Sequence, residues 1–177
     1  MAIAFEEAES HISNGKTPLS AFLRPALAPF PLFILQPVLR RIVRHIAHTR
    51  PELFNRIGPH KDKLFLIDPV NLPFVLVLQA HPDTPLLRAY RRRKAPRTDA
   101  QIAGTFLTLL DMVDGHLDGD ALFFTRELHI EGDTEAVVCL RNALDDLEGS
   151  VAEDTASLFG PPGRQALKVL RKIRNHE

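Results

Sequence analysis

The apolar positions of this chain fall into short alternating runs and longer helical stripes. KLFLIDPV and LPFVLVLQA lie between residues 63 and 80, and the residues around Pro69 and Asn71 between them read as a turn. The pattern predicts two strands. The second is apolar in both phases, as expected of a strand covered on both faces. PLLRAYRRRK predicts a third strand ending in a basic cluster, and TDAQIAG a fourth. TFLTLLDMVDG has helical length and carries Phe106, Leu107, Leu109, Leu110, Met112 and Val113. A helix apolar on most of its sides must be buried or line a cavity. From Leu122 the even positions read Leu122, Phe124, Arg126, Leu128 and Ile130, and the odd ones Phe123, Thr125, Glu127, His129 and Glu131. Side chains alternate along a strand, so one face is apolar except for Arg126. GDTEAVVCLRNALDDLEG predicts a helix with Asp133 or Thr134 as its cap, Glu135 at its positive end and Gly149 at its stop. Its stripe is Ala136, Val137, Leu140, Leu144 and Leu147.

Two basic helices flank this array. PVLRRIVRHIAHTR begins at Pro37, a residue suited to the first helical position. Val38, Leu39, Ile42, Val43 and Ile46 form its stripe, while Arg40, Arg41, Arg44, His45 and His48 face away. Just before it, PALAPFPLFILQPVL runs fifteen residues without a charge. A membrane span needs roughly 20 apolar residues. Pro25, Pro29, Pro31 and Pro37 also break a helix there, so the segment reads as apolar and kinked. Near the other end, GPPG at 160–163 reads as a break before RQALKVLRKIRNH. In that helix Leu167, Leu170 and Ile173 share one side, with Lys168, Arg171, Lys172 and Arg174 on the polar side. The order of elements predicts an α+β or mixed α/β sheet with helices on one side. The chain divides into an apolar, proline-rich segment over 1–35, a domain over 36–150, and a linker with a basic helix over 151–177.

A chain of 177 residues suits one domain with a real core. The single Cys139 excludes an intramolecular disulfide and a multi-cysteine metal site, and fits a reducing compartment. MAIAFEEAES is acidic, unlike a secretory signal or transit peptide. The net charge is zero, but it is unevenly spread. Residues 11–97 hold 15 Lys and Arg against 4 Asp and Glu, and residues 98–160 hold 2 against 14. Either the two halves interleave in space, or a basic face meets an anionic surface.

Candidate chemistry is sparse. The chain has no phosphate-cradling glycine loop, nucleophile elbow or zinc signature. Asp111, Asp114, His116, Asp118 and Asp120 offer oxygens and an imidazole to a cation or a hydrolytic site. Their spacing does not match a calcium loop, and Asp-Gly pairs are common turn formers, so no metal or cofactor is assigned. Cys139 sits mid-helix without an evident base and reads as packing. Arg91, Arg92, Arg93, Lys94 and Arg97 suit a solvated strand end or phosphates. Only Tyr90 neighbours them, which favours lipid phosphate over nucleic acid, and no nucleic-acid partner is expected. The apolar content beyond what a small core needs points to an internal cavity.

GDALFFTRELHIEGDTEAVVCLRNALDDLE resembles the C-terminal motif of the sterol carrier protein 2 superfamily. More narrowly, it is similar to the bacterial branch of anaerobic ubiquinone biosynthesis accessory factors, the UbiT type. PELFNRIG, FLIDPVNLPFVLVL and DAQIAGTFLTLLDMVDG support the resemblance, which spans roughly residues 36–149. It implies an α+β fold, a mixed β-sheet of about five strands covered by helices and enclosing a hydrophobic tunnel for a lipid, and a non-catalytic role. The expected ligands are isoprenoid quinone intermediates or phospholipid, presented to hydroxylase subunits of the UbiU and UbiV type. It further implies a cytoplasmic protein held peripherally on the inner membrane. Phase and spacing give tunnel candidates Phe65, Ile67, Phe74, Leu76, Phe106, Leu109, Leu110, Val113, Leu122, Phe124, Leu128, Ile130, Val137, Leu140 and Leu144. Arg126 is the head-group candidate. Phe30, Leu32, Phe33, Ile34, Leu35, Arg40, Arg41 and Arg44 are candidates for contact with an anionic membrane surface. The competing expectation is an interaction module that binds a partner, or forms a homodimer, through its apolar N-terminal segment.

Overall fold

The computed structural model describes residues 31–114, 128–147 and 149–174. Its five strands are β1 (Leu64–Pro69), β2 (Val75–Gln79), β3 (Leu86–Tyr90), β4 (Ala100–Gly104) and β5 (His129–Gly132). They form one sheet in the order β3-β2-β1-β4-β5. β1 and β4 are parallel and the other neighbours antiparallel, so the sheet is mixed. Among the described residues there are six α-helices: α1 (Leu32–Thr49), α2 (Pro51–Arg56), α3 (Phe106–Asp114), α4 (Thr134–Asp145), α5 (Val151–Ser157) and α6 (Gly160–Arg174).

The register explains why one sheet face is covered. Leu76, Ile67, Ile102 and Ile130 stand opposite one another across four strands. A second row joins Leu87, Leu78 and Phe65. Residues two apart share a face, so both rows are apolar on the same side. Phe65 and Ile102 are buried there with Val43, Phe54, Leu109 and Val137 from the helices. β2 is an inner strand, as its two apolar phases predict: Val75 and Val77 are buried on the face opposite Leu76 and Leu78.

Local chemistry sets the ends of the elements. Asp133 caps α4, its carboxylate accepting from the Ala136 N–H at 3.0 Å. Gly132 precedes it at φ +80°, and a Cβ there would run into the Asp99 carbonyl oxygen. Only glycine fits this turn from β5 into α4. Ser150 caps α5 by accepting from the Glu153 N–H at 3.0 Å.

Three expectations are corrected. α1 begins at Leu32, so Pro37 lies inside the helix instead of starting it. Proline deprives the Phe33 carbonyl of its donor and disfavours helical backbone at Gln36. The Gln36 side chain offsets this by holding its turn to β3: its amide donates to the Ala89 carbonyl at 2.7 Å and accepts from the Ala89 N–H at 3.3 Å. Second, GPPG is the first turn of α6 and not a break. Pro161 and Pro162 sit where the backbone N–H groups have no helical acceptor anyway. Third, α5 occupies part of the stretch expected to be a linker. Leu122, Phe124, Arg126, Phe30, His116, Asp118 and Asp120 lie outside the described residues.

Candidate functional site

An apolar cavity of about 450 Å³ lies between the covered sheet face and the helices. Its size falls within the range of small-molecule sites, roughly 300–1,000 Å³. Ile67, Leu76, Leu78 and Leu87 form its floor on β1, β2 and β3. Ile42, Val43 and Ile46 of α1 make one wall, and Leu53, Phe54 and Ile57 continue it. Phe106, Leu109, Leu110 and Val113 of α3 make another, with Leu140 and Leu144 of α4 behind. The roof comes from α5 and α6: Val151, Ala156, Leu167 and Leu170, with Phe159 at the bend between the helices. Thr155 is the only polar side chain in this lining among the described residues. Water in such a space lacks the two to four polar partners it needs, so the lining suits an apolar occupant.

Eight tunnel candidates line the cavity: Ile67, Leu76, Phe106, Leu109, Leu110, Val113, Leu140 and Leu144. Phe65 and Val137 instead fill the packed core, with Leu128 and Ile130 against it. Phe74 is half-buried away from the cavity. The α1 stripe and the α5–α6 roof were not among the candidates. The α1 periodicity does mark a buried face, but nothing in it separates a cavity wall from core. For α5, alanines at the inward positions Ala152 and Ala156 leave no large apolar stripe to read.

A polar clasp fastens the roof. The Asp114 carboxylate at the end of α3 is fully buried and accepts from Arg171 of α6 through Nε and Nη2, each at 2.9 Å. The Ser150 hydroxyl donates to the same carboxylate. Arg171 also donates to Glu153 at 2.7 Å. Asp114, then Glu153, push the Arg171 pKa above its ordinary value, so the cation is permanent. This corrects the expectation that Arg171 lies on an outward polar face, and it engages Asp114 structurally. Asp133, the cap of α4, is shifted as well. The Lys63 ammonium, and then the Ala136 N–H, hold it below the usual carboxylate range.

Phe33 and Ile34 are exposed on α1, at 74% and 49%, with Leu32 and Leu35 half-buried. Arg40, Arg41 and Arg44 are exposed further along the helix. No helix among the described residues is long and apolar enough to cross a membrane. Cys139 is half-buried, its thiol 3.6 Å from the carbonyls of Arg56 and Ile57. Among the described residues no group of three metal-ligating side chains converges.

A five-stranded mixed sheet roofed by helices over an apolar cavity defines an α+β lipid-binding domain of the sterol carrier type. Residues 45–145 match the SCP-2 sterol transfer family, and the chain belongs to it. No curated protein matches the sequence. Among solved structures, it is similar to a UbiJ-SCP2 ubiquinone synthesis protein at 17% identity. That match covers 66% of this chain and 93% of that one, with a TM-score of 0.47. Sterol carrier protein 2 from Yarrowia lipolytica, in its apo form, is 16% identical over 67% of this chain and 94% of its own, with a TM-score of 0.42. The sterol carrier protein domain 2 of Helicoverpa armigera is 13% identical over 67% and 91%, also at 0.42. The helices α5 and α6 that roof the cavity lie beyond the family segment.

Proposed function

We propose that the protein is a non-catalytic lipid carrier that shelters an isoprenoid tail in the cavity beneath α5 and α6. One observation carries the reading: a space of about 450 Å³ with an almost wholly apolar lining. Transfer of an apolar chain into such a space gains roughly 0.8 kcal/mol per buried methylene. The motif resemblance from Gly119 to Asp146 supports the finer role. In it the carrier holds polyprenylated intermediates for oxygen-independent ubiquinone synthesis and presents them to hydroxylases of the UbiU and UbiV type. Phe33 and Ile34, beside the exposed arginines of α1, suit peripheral contact with an anionic bilayer of the inner membrane.

The direct test is solvent extraction and native mass spectrometry of protein purified from a quinone-producing host. Isoprenoid quinone precursors in the extract support the proposal. Phospholipid alone keeps the carrier and removes the ubiquinone role. A lipid-free protein that takes up no apolar probe defeats both. The second reading, a protein-interaction module or homodimer, draws on the same exposed Phe33 and Ile34. A concentration-dependent mass that Phe33→Ser/Ile34→Ser abolishes, together with an empty cavity, favours it.

A further inference from the structure

A second and larger space, about 980 Å³, runs between α1 and β3, the terminal strand of the sheet. It is a charged groove. Arg40, Arg41 and Arg44 line it from α1 and Arg88 from β3, with Asp83 as its single acidic wall residue. All four arginines are exposed, and none has an ion-pair partner among the described residues. The groove therefore keeps an excess of three positive charges. Its lining is not wholly polar: Pro85, Leu86 and Tyr90 are half-buried along it. A complementary occupant carries several carboxylates on a short stretch that also holds apolar side chains. The chain itself contains such a stretch. Residues 3–9 read IAFEEAE, and Glu6, Glu7 and Glu9 are the only carboxylate side chains before Glu52.

We propose that residues 3–9 dock in this groove of their own chain. Glu6, Glu7 and Glu9 sit among Arg40, Arg41, Arg44 and Arg88, and Ile3 and Phe5 lie against the apolar part of the lining. The tether permits it. α1 begins at Leu32 and meets the groove at Gln36 and Pro37. The 21 residues between Glu9 and Pro31 span up to about 70 Å when extended, enough to reach any point beside a five-residue strand. The acidic stretch with Asp118, Asp120 and Glu127 instead leads into β5, at the opposite edge of the sheet. Each exposed ion pair contributes only roughly 0.2–1 kcal/mol. Attachment to the same chain supplies an effective concentration on the order of millimolar, so three such pairs and a covered Phe5 ring suffice for occupancy without locking it. The docked arm covers the arginines that face a bilayer in the membrane reading, and must leave before they reach one. The proposal adds this contact to the lipid-carrier reading and does not depend on it.

Phenylglyoxal modifies accessible arginine side chains, and peptide mass spectrometry reads the rate at each one. Arg93 and Arg97, exposed outside the groove, serve as internal references. Glu6→Gln, Glu7→Gln and Glu9→Gln together, in the full chain, should speed modification of Arg40, Arg44 and Arg88 by roughly threefold or more. Unchanged rates at Arg93 and Arg97 show that the variant is folded. Salt at about 1 M should bring the native chain to the rates of the variant, relative to the same references. A synthetic peptide of residues 1–10, added at millimolar concentration, should slow the groove arginines of the variant again. Equal groove rates in the native chain and the variant overturn the proposal; if solvent extraction then raises both, a bound lipid holds the groove. Protection of the native chain that fades on dilution also overturns it, and gives the groove to the arm of a second copy.

Discussion

At the scale of residues, Asp114 and Arg171 form the most consequential pair. A buried carboxylate is tolerated because a guanidinium and a hydroxyl satisfy its oxygens. Arg171→Ala strands that charge and should cost about 3–5 kcal/mol, read as a lower urea midpoint with an unchanged slope. Asp133 gives a prediction in pH. Its native pKa is depressed below the ordinary 3.8 by Lys63 and by the Ala136 N–H. As pH falls, the unfolded chain takes up the proton first. The contribution of Asp133 is therefore complete above its ordinary pKa and is lost below it, through the lower native value. Asp133→Asn retains a capping oxygen without the charge. Its urea midpoints should be lower at neutral pH and should lose less on acidification than those of the native chain. Asp133 as a cap is legible from GDTE alone, because the signal is local. The partner of Arg171 is not legible: Asp114 lies 57 positions away, and helical periodicity treats any arginine beside Lys168 and Lys172 as solvated.

At the scale of elements, α5 and α6 pack through Gly163, where a Cβ would collide with the Ala156 carbonyl oxygen. Gly163→Ala should lift α6 from α5. We expect a loss of about 1–3 kcal/mol and a lower lipid-to-protein ratio by mass spectrometry. Gly132→Ala should destabilise comparably through strain at the β5–α4 turn, without changing lipid content. That contrast separates roof damage from general weakening. The strands were readable because alternation is a property of consecutive residues, and β1 to β4 appear where the runs place them. The helix ends were read less well. A proline rule puts the start of α1 at Pro37, whereas the helix passes through it with Gln36 bonded to a strand 53 positions away. The same rule made GPPG a break, although prolines belong naturally in a first turn. The cavity itself was foreseeable as an excess of apolar residues. Its roof was not, since lining is decided by which helices meet.

At the scale of the whole molecule, the unequal charge of the two halves is partly cancelled by ion pairs between them. Arg50–Asp154, Arg56–Asp146 and Lys63–Asp133 join the basic part of the chain to its acidic part. Among the described residues, Arg40, Arg41, Arg44 and Arg88 are cations of the basic part without an ion pair, and they line one groove between α1 and β3. Binding to the folded state alone stabilises it by mass action. Stripping the lipid should therefore lower the melting temperature, and saturating palmitate should restore it by several degrees, roughly 2–4 °C for each kcal/mol of binding. A melting curve indifferent to both treatments would tell against an occupied interior.

The contact between Gln36 and Ala89 has a further consequence. A terminal strand is a template on which another chain can add itself, and proteins must blunt it. Here a primary amide, with its own donor and acceptor, imitates one residue of an absent neighbour strand. Gln36→Leu keeps the bulk and removes the imitation. The altered protein should polymerise slowly into cross-β fibrils under conditions in which the parent does not. The glutamine that ties α1 to β3 is thus expected to shield the edge of the sheet as well.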